Sequence, residues 1–466
     1  MFGKFSSARS TSLEDRIPWQ QKLTYGMGMA IPVVLINSVA QFSNLIFNLG
    51  LGISLIWLGV AQMIPRFWDA VSDPLMGNLS DNTRSKWGRR RPYIVVGGVL
   101  STIFYVLIWW VPTAWSKEQI FIYYMAMTLC FYTATTIFTI PLTALGNEMT
   151  RDYHEKTSLF AYGGFFGNVF AIVTPWMYRL SQLSVFKNEV EGMRWIALII
   201  GTLILLTSIL PGFLCRENAH INIQKPEKVP FWDSMRNTVK DKVFLRIVGV
   251  IFLVTAGFNF VGNFTNYIVI YYVYGGDKTA ASTMLGYNGT VWAFTALLAV
   301  FPMTWISKRL GKAKGLQIFV TLMVAGSFLK IRCYDPAHPW LTVIPTVFIS
   351  GGMLALYTMA ISMVGDVCNL DELNTGKRRE GSYSAVYYWW LKVATSSGAV
   401  ISGLLLHSTG FSEKLVTQLP STLLWMRIWE IGLPGVLSLL AVLLLHHYPL
   451  TEARSYEIKQ ALDAKQ

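Results

Sequence analysis

The sequence predicts an all-α membrane protein with twelve transmembrane helices in two six-helix halves. Three observations predict this fold: an apolar composition, twelve long apolar segments, and short motifs that recur in both halves of the chain. Of the 466 residues, 53% are hydrophobic and only 14% are charged, whereas a soluble domain carries about 25% charged residues. This composition excludes a water-soluble enzyme of the same length and also a disordered chain.

Twelve apolar segments are long enough to cross a bilayer, which takes about 20 mostly apolar residues. Continuous apolar runs favour helices over a strand barrel, because barrel strands alternate between apolar and polar residues. Several segments exceed the hydrocarbon thickness, which predicts tilt or extension beyond the lipid. The segments run roughly over 23–47, 52–80, 93–113, 118–145, 157–181, 194–215, 243–273, 282–306, 314–334, 338–366, 381–409 and 421–447.

The positive charges define a topology. The formal net charge is +13, and 27 of the 39 lysines and arginines fall in the N-terminal tail, in every second loop and in the C-terminal tail. Because cytoplasmic loops of membrane proteins are rich in lysine and arginine, both termini are expected in the cytoplasm. We therefore expect a multi-pass protein of the inner (plasma) membrane whose partner is the lipid bilayer. The basic balance is explained without any nucleic acid.

A polar stretch divides the chain into two halves. Residues 216–242 lie between the sixth and seventh apolar segments. We expect an N-terminal half over 1–215 and a central cytoplasmic loop over 216–242. A C-terminal half over 243–447 and a cytoplasmic tail over 448–466 complete the expected organisation.

Two short motifs recur at equivalent loops of the two halves. The glycine and basic residues of 86–91 are echoed in 309–314, and the glycine and acidic residues of 146–152 are echoed in 365–371, with offsets of 223 and 219. Two six-helix repeats around a central loop are the layout of the major facilitator fold, which places its substrate site near the bilayer midplane between the halves.

The densest polar motif lies in the second segment. Asp69 and Asp73 are four residues apart and share one helical face, and Ser72 joins that face. Two carboxylates this close repel one another, and each is costly in lipid. A bound Na⁺ or Li⁺ would relieve both, or one carboxyl could hold a proton. The alternative is a pair at the membrane edge that forms a salt bridge with Arg66. Pro74 is expected to bend or weaken the helix here.

Two further residues belong to the predicted ion site. Thr136 in the fourth segment can supply a neutral oxygen ligand, although such threonines often bond a backbone carbonyl instead. Lys392 lies inside the eleventh segment, and a lysine at that depth indicates a functional residue with a carboxylate partner, for which Asp69 and Asp73 are the candidates. The alternative is a lysine that extends to the membrane surface.

Charged residues at the ends of the even-numbered segments are candidates for gating. Asp81, Arg84 and Arg89 follow the second segment, where salt bridges to neighbouring helix ends would hold the helices together. The alternative is a solvated, positively charged loop. The equivalent positions after the fourth and tenth segments complete the candidate gating set, with Asp152, Asp371 and Arg379.

Neutral polar side chains form one stripe on the first segment and another on the seventh. The stripes consist of Asn37, Gln41 and Asn44, and of Asn259, Asn263 and Asn266. A sugar requires such donors and acceptors together with aromatic faces, which Trp68, Tyr162, Tyr267, Trp292, Tyr387 and Trp390 can supply. Asn37, Gln41, Asn263 and Trp390 are therefore the candidate solute contacts. The alternative is that these polar groups hydrogen-bond neighbouring helices.

Signatures of an enzyme are absent from the sequence. It contains no P-loop and no HExxH motif, and no GxSxG lies in a strand–turn–helix setting. Its four cysteines, Cys130, Cys215, Cys333 and Cys368, show no metal-binding spacing. We expect no enzymatic activity, no ATP-driven pump, no cofactor and no metal beyond a coupling Na⁺ at Asp69 and Asp73.

The motif Asp69-x-x-x-Asp73-Pro74-x-x-Gly77, followed by Asp81 and by Gly-Arg-Arg-Arg-Pro at 88–92, resembles the glycoside–pentoside–hexuronide:cation symporters. These are major facilitator transporters that include the melibiose permease. The resemblance extends over nearly the whole chain, through 22–26, 141–152 and 379–392. It implies sugar uptake coupled to Na⁺, Li⁺ or H⁺, with Asp69, Asp73 and Thr136 as the cation site and Lys392 beside it.

The chain departs from the melibiose-type pattern at the sugar site. Val33 and Thr139 stand where those members carry aspartates that bind galactosides. Gly164 replaces an arginine, Thr143 a tryptophan and Ser72 an asparagine. We therefore infer no galactoside, and Thr139 remains a candidate solute contact. The Gly-Arg-Arg-Arg-Pro loop also resembles that of the sucrose–proton symporters.

Together these observations predict a secondary transporter that works as a monomer and takes up a sugar or glycoside with a cation. One alternative is a transporter of the same fold for an organic anion or a lipid, in which Lys392 would hold the anion. Another is a non-transporting membrane sensor or a membrane-embedded enzyme. That class would require an added domain or a catalytic constellation, which the sequence does not show.

Overall fold

The computed structural model describes residues 16–150, 153–217, 240–376, 379–446 and 448–463, which are helical between their loops and contain no strand. Eleven helical segments within these ranges are long and apolar enough to cross a membrane. They match eleven of the twelve expected segments. The remaining one, the second, is a helix of 28 residues whose charged side chains lower its apolarity. The all-α membrane fold is thus confirmed.

The helices before the central loop begin and end close to the expected positions. They are α1 (Trp19–Ser43), α2 (Leu55–Asn82), α3 (Arg91–Trp109), α4 (Lys117–Glu148), α5 (Tyr153–Val173), α6 (Trp176–Ser181) and α7 (Glu189–Leu214). Helix α4 begins with a capping box, in which Ser116 and Gln119 bond each other's backbone amides.

The helices after the central loop also correspond to the expected apolar segments. They are α8 (Lys242–Phe260), α9 (Phe264–Ile268), α10 (Lys278–Leu310), α11 (Lys312–Cys333), α12 (Val343–Thr375), α13 (Glu380–Ser408), α14 (Pro420–His446) and α15 (Glu452–Asp463). The expected C-terminal tail therefore contains a helix, α15, which packs against α12.

Two expected helices are not continuous α-helices. The first segment changes into a π-helix over Asn44–Gly50. The seventh breaks after Phe260, turns through 261–263, resumes as α9 and ends as a π-helix over Val269–Val273. The expected seventh segment is thus present as one membrane span, but the turn interrupts its hydrogen-bond ladder. Short π-helices are rare and frequently lie at functional sites.

The described residues form two compact units whose limits differ from the expected halves. The first unit takes its residues from Met1–Val39, Ile64–Thr174 and Glu191–Lys225, and the second from Ala40–Met63, Pro175–Val190 and Pro226–Gln466. The second unit therefore includes the hairpin tip between α1 and α2 and the segment that contains α6.

The core of the second unit is mainly apolar, and a buried charged cluster lies among its helices. Phe244, Ile251 and Leu356 are among its fully buried side chains, on α8 and α12. On α14, Glu430 accepts hydrogen bonds from the hydroxyls of Thr265 and Tyr334, each at 2.8 Å.

The charge of Glu430 is balanced by Lys330 of α11. The Lys330 ammonium bonds the same carboxylate oxygen, Oε1, and the two side chains are only 10% and 1% exposed. Because a buried charge without a partner is strongly destabilising, this pair joins α11 to α14 firmly. Through Thr265, it also holds the second part of the broken seventh helix.

Replacement of Lys330 alone tests this cluster. Lys330→Met leaves the Glu430 carboxylate buried without its counter-charge, so the free energy of unfolding should fall by about 3 to 5 kcal/mol. The double variant Lys330→Met/Glu430→Leu should recover most of that loss, and Lys308→Met, at an exposed lysine of α10, should change little. Denaturant unfolding of the detergent-solubilised protein measures all three. Equal stability of Lys330→Met and the wild type would contradict the assignment.

Candidate functional site

The predicted ion-binding residues lie where α2 packs beside α4. The Thr136 hydroxyl donates a hydrogen bond of 3.0 Å to Oδ1 of Asp73. Asp69, Ser72 and Asp73 occupy successive positions of the same face of α2, which continues without a break through Pro74. Ser72 and Thr136 are both buried. The structure therefore brings Thr136 to the carboxylate that it was expected to join.

The oxygen atoms at this place fit a small monovalent cation. The buried Ser72 hydroxyl has no hydrogen-bond partner among the residues that the structure describes. Pro74 lacks an amide hydrogen, so the carbonyl oxygen of Ala70 has no donor four residues later in the helix. Carboxylate, hydroxyl and free carbonyl oxygens are the ligands that transporters offer to Na⁺. The same carboxyls could instead carry a proton.

Arg66 does not form the salt bridge with the aspartates that the alternative interpretation expected. Its guanidinium lies over the ring of Tyr132, 4.8 Å from the ring centre, and it joins none of the ion pairs found among the described residues. Two residues further along α2, the indole nitrogen of Trp68 donates to the Thr133 hydroxyl at 3.0 Å. Helix α4 thus holds both side chains by neutral groups.

A buried ionic network joins the ends of α2, α3 and α4. Arg90, only 4% exposed, donates to Glu148 at 2.9 Å and to Ser80 at 2.6 Å, and it also pairs with Asp81. Burial lowers the pKa of the Arg90 guanidinium, but the hydrogen bond and charge of Glu148 and the charge of Asp81 outweigh burial and raise it. The arginine therefore stays charged inside the network.

Two of the expected gating residues near α2 belong to this network and one does not. Arg89 pairs with Glu148 at 3.0 Å, and Asp81 pairs with Arg90. Arg84 is exposed and joins no ion pair within the described ranges. Arg90 belongs to the basic run 84–91 that was expected to form such salt bridges, whereas its partner Glu148 was missed as a site residue. A glutamate at the end of a long apolar helix was the signal that could have identified Glu148.

Glu217 caps the start of α3. Its carboxylate accepts the backbone amides of Arg89 at 2.8 Å, Arg90 at 2.6 Å and Arg91 at 3.2 Å, where the helix dipole favours a negative charge. Gly88 has a φ of +103°, and a Cβ there would lie 2.7 Å from this carboxylate. The glycine is therefore required by both its conformation and its neighbour.

The second half of the chain repeats this ion pair. Lys312, the first residue of α11 and the position equivalent to Arg89, bonds Asp366 of α12 at 2.8 and 2.9 Å. Gly311 before it has a φ of +81°, as Gly88 has a positive φ. The two motif echoes in the sequence thus correspond to the same local construction in both repeats.

Of the other expected gating residues, Asp371 and Arg379 form an ion pair with each other. Arg379 donates to Asp371 at 2.8 Å through Nε, and this hydrogen bond raises the pKa of the guanidinium. The pair lies at the end of α12 and the start of α13. Asp152 lies outside the described residues.

The seventh helix does not carry its three asparagines as one stripe, because it breaks between them. Asn259 donates to the Thr255 carbonyl of its own helix at 2.8 Å. Asn263 donates to the Ser402 hydroxyl of α13 at 3.3 Å. This bond between helices supports the structural alternative for Asn263, and the expectation of a continuous stripe is wrong.

The remaining candidates keep accessible positions or free polar atoms. Asn37 and Gln41 are exposed on α1. The buried Thr139 hydroxyl and the Trp390 indole nitrogen have no hydrogen-bond partner in the described part of the chain, and Trp390 packs edge-on against Phe252. Lys392 lies at the centre of α13, far from both ends.

The sequence model of the family described as "MFS/sugar transport protein" matches residues 24–452. The chain belongs to this family. It is therefore a multi-pass membrane transporter of the major facilitator type and not an enzyme.

Similar proteins cover nearly the full length of the chain. An uncharacterised symporter from Synechocystis sp. is 25% identical, over 97% of this chain and 98% of that protein. An isoprimeverose transporter from Lactiplantibacillus pentosus is 22% identical, over 91% and 88%. A sodium-dependent lysophosphatidylcholine symporter from Gallus gallus is 24% identical, over 97% and 91%.

The fold has a counterpart among crystal structures. A bacterial homologue of the human lysosomal transporter Spinster aligns with a TM-score of 0.67 at 13% identity, over 95% of this chain and 98% of that one. At this identity, the likeness shows the fold alone. It agrees with the major facilitator layout expected from the repeated motifs.

Replacement of single arginines compares how much the buried network and the exposed loop surface each contribute to the free energy of unfolding. Arg90→Gln leaves Glu148 without its main counter-charge and should lower the free energy of unfolding by about 3 kcal/mol. Arg84→Gln, at the exposed arginine, should change it by less than about 0.5 kcal/mol. Thermal unfolding of the purified variants compares them. Equal losses in both variants would contradict the network described here.

Proposed function

We propose that this transporter takes up a sugar or glycoside together with Na⁺ or H⁺ by alternating access. The observation that carries the proposal is the Thr136–Asp73 hydrogen bond, one helical turn from Asp69. It gathers two carboxylates and neutral oxygens on one helix pair of a membrane-spanning protein. We further propose that the chain works as a monomer in the plasma membrane with both termini in the cytoplasm, in agreement with its basic loops.

The electrostatics of this site explain how ion binding could be coupled to solute transport. Two carboxylates at one-turn spacing repel, and a low-dielectric surrounding strengthens the repulsion. A bound cation removes that repulsion, so the ion-bound and ion-free proteins prefer different arrangements of the helices. The free-energy difference between them can be used to move a solute. Lys392 is proposed as a coupling residue, because a lysine in the middle of a membrane helix is costly without an anionic partner.

The sugar part of the proposal is supported by the family description and by the isoprimeverose transporter among the relatives. The neutral polar residues Asn37, Gln41 and Thr139 and the indole of Trp390 are the proposed solute contacts. A sugar would use such groups for hydrogen bonds and for stacking.

A lysophospholipid is a second candidate solute. Val33 is 41% exposed and stands where melibiose-type symporters carry a sugar-binding aspartate, which favours a solute with an apolar part. A relative of similar identity is named as a sodium-dependent lysophosphatidylcholine symporter.

Uptake into proteoliposomes identifies the ion and the solute class together. We expect accumulation of a glycoside such as isoprimeverose under an inward Na⁺ or H⁺ gradient, and none without a gradient. Lysophosphatidylcholine in the same assay tests the second candidate. If neither compound enters under either gradient, in protein that unfolds cooperatively, the proposed solutes are wrong.

Asp73→Asn tests the ion site. Removal of one carboxylate should abolish gradient-driven uptake while exchange of solute across the membrane persists, because binding of the solute and rocking of the helices remain. Uptake by Asp73→Asn that keeps the full ion dependence of the wild type would exclude Asp73 from the site.

Two neighbouring threonines give a matched pair of variants. Thr136→Val removes the hydroxyl that bonds Asp73, so the ion concentration for half-maximal uptake should rise about fivefold to tenfold. Thr135→Val is the control, since the Thr135 hydroxyl only bonds the Phe131 carbonyl of its own helix. Equal effects of both substitutions would assign the change to α4 as a whole.

A further inference from the structure

A tyrosine of the second unit lies between two π-helices. The fully buried Tyr267, at the end of α9, donates its hydroxyl to Oδ1 of Asn48 at 2.9 Å and approaches the carbonyl oxygen of Asn44 at 3.4 Å. Asn44 and Asn48 belong to the first π-helix, and Tyr267 lies two residues before the second. Both π-helices thus adjoin a single buried hydrogen bond.

An ion pair between Glu189 and Lys278 lies close to the first π-helix, at the start of α10. Lys278, the first residue of α10, bonds Oε1 of Glu189 at 2.8 Å and the Leu49 carbonyl oxygen at 3.2 Å. The other oxygen of Glu189 accepts hydrogen bonds from Gln182 at 2.7 Å and Tyr178 at 3.1 Å. One carboxylate therefore connects the segment 175–190 with α10, while the ammonium that it holds also reaches the tip between α1 and α2.

The start of α2 also packs against α13 without space for side chains. A Cβ on Gly403 would lie 2.8 Å from the Leu55 carbonyl oxygen, and one on Gly59 would lie 2.7 Å from the Ala399 carbonyl oxygen. Contacts this close exclude water between the two helices. These helix contacts, the Tyr267–Asn48 hydrogen bond and the Glu189–Lys278 ion pair all lie at one end of the second unit, and together they close that end.

These contacts are weaker than the buried Lys330–Glu430 pair. Lys278 is 31% exposed and Glu189 is 10% exposed, compared with 10% and 1% for Lys330 and Glu430. Ion pairs open to solvent contribute less than buried ones lose when a partner is removed. Since Thr265 fastens α9 to Glu430, the segments 40–63 and 175–190 separate from α9 and α10 more easily than α9 separates from α14.

We propose that the pairs Asn48–Tyr267 and Glu189–Lys278 form a latch. In the closed state they hold the segments 40–63 and 175–190 against α9 and α10, and they must part and rejoin in each transport cycle. The latch rests on the proposed function, because only alternating access requires this end to open. Asn48 lies in one π-helix and Tyr267 two residues before the other, and short π-helices frequently lie at functional sites.

A buried cysteine reports whether the latch is closed. Ser402 is 1% exposed and lies on α13 behind the close contact at Gly403. We place Ser402→Cys in a chain whose four native cysteines are serines and measure its reaction with a membrane-impermeant maleimide. The parent should react slowly, and Tyr267→Phe should react about fivefold faster, as expected for the loss of one hydrogen bond. Tyr271→Phe, at a neighbouring tyrosine that packs on Phe411, is the matched control and should react as the parent does.

A charge exchange tests the ion pair independently of folding. Glu189→Lys or Lys278→Glu alone should speed the reaction, and the double exchange should restore the slow rate of the parent. Equal rates in Tyr267→Phe and the parent, or no recovery in the double exchange, would overturn the latch. Solute uptake by the same parent chain separates the two proposals: a protected cysteine in a chain without gradient-driven uptake contradicts the proposed function, whereas fast labelling in a chain that transports contradicts the latch.

Discussion

A charge inside a membrane-spanning protein has to be balanced nearby, and this constraint determines where the helices of this transporter are fixed and where they are free to move. Lys330 and Glu430 fix α11 to α14, with Thr265 holding the broken seventh helix to the same carboxylate. Arg90 and Glu148 fix the ends of α3 and α4. By contrast, we propose that a coupling ion, which binds and leaves during transport, balances the acidic face of α2.

The two repeats use the same local construction for different charges. Two ion pairs, Arg89 with Glu148 in one repeat and Lys312 with Asp366 in the other, join the start of one helix to the C-terminal part of the next. A glycine with positive φ precedes each cation. The repeats differ in what surrounds these pairs: Arg90, Asp81 and Glu217 extend the first into a buried network. Sequence echoes of only a few residues therefore mark a shared structural role.

Much of the fold could be predicted from the sequence, because long apolar segments in lipid have only the helix available to them. The neighbourhood of Asp73 and Thr136 was also expected, since the residue types and their places on two helices restrict the choice. The π-helices and the break after Phe260 could not be predicted, because the apolar composition continues through them. The Lys330–Glu430 pair joins residues 100 positions apart, and neither residue lies in a motif that identifies its partner.

We propose that the coupling ion binds at Asp69 and Asp73 of α2. Equilibrium titration of the purified, solute-free protein with Na⁺, Li⁺ and acid tests it most directly, with binding and proton release recorded together. We expect saturable binding of one of these ions by the wild type and by Thr135→Val, and its loss in Asp73→Asn. Binding of the same ion with unchanged affinity by Asp73→Asn would exclude Asp73 from the ion site.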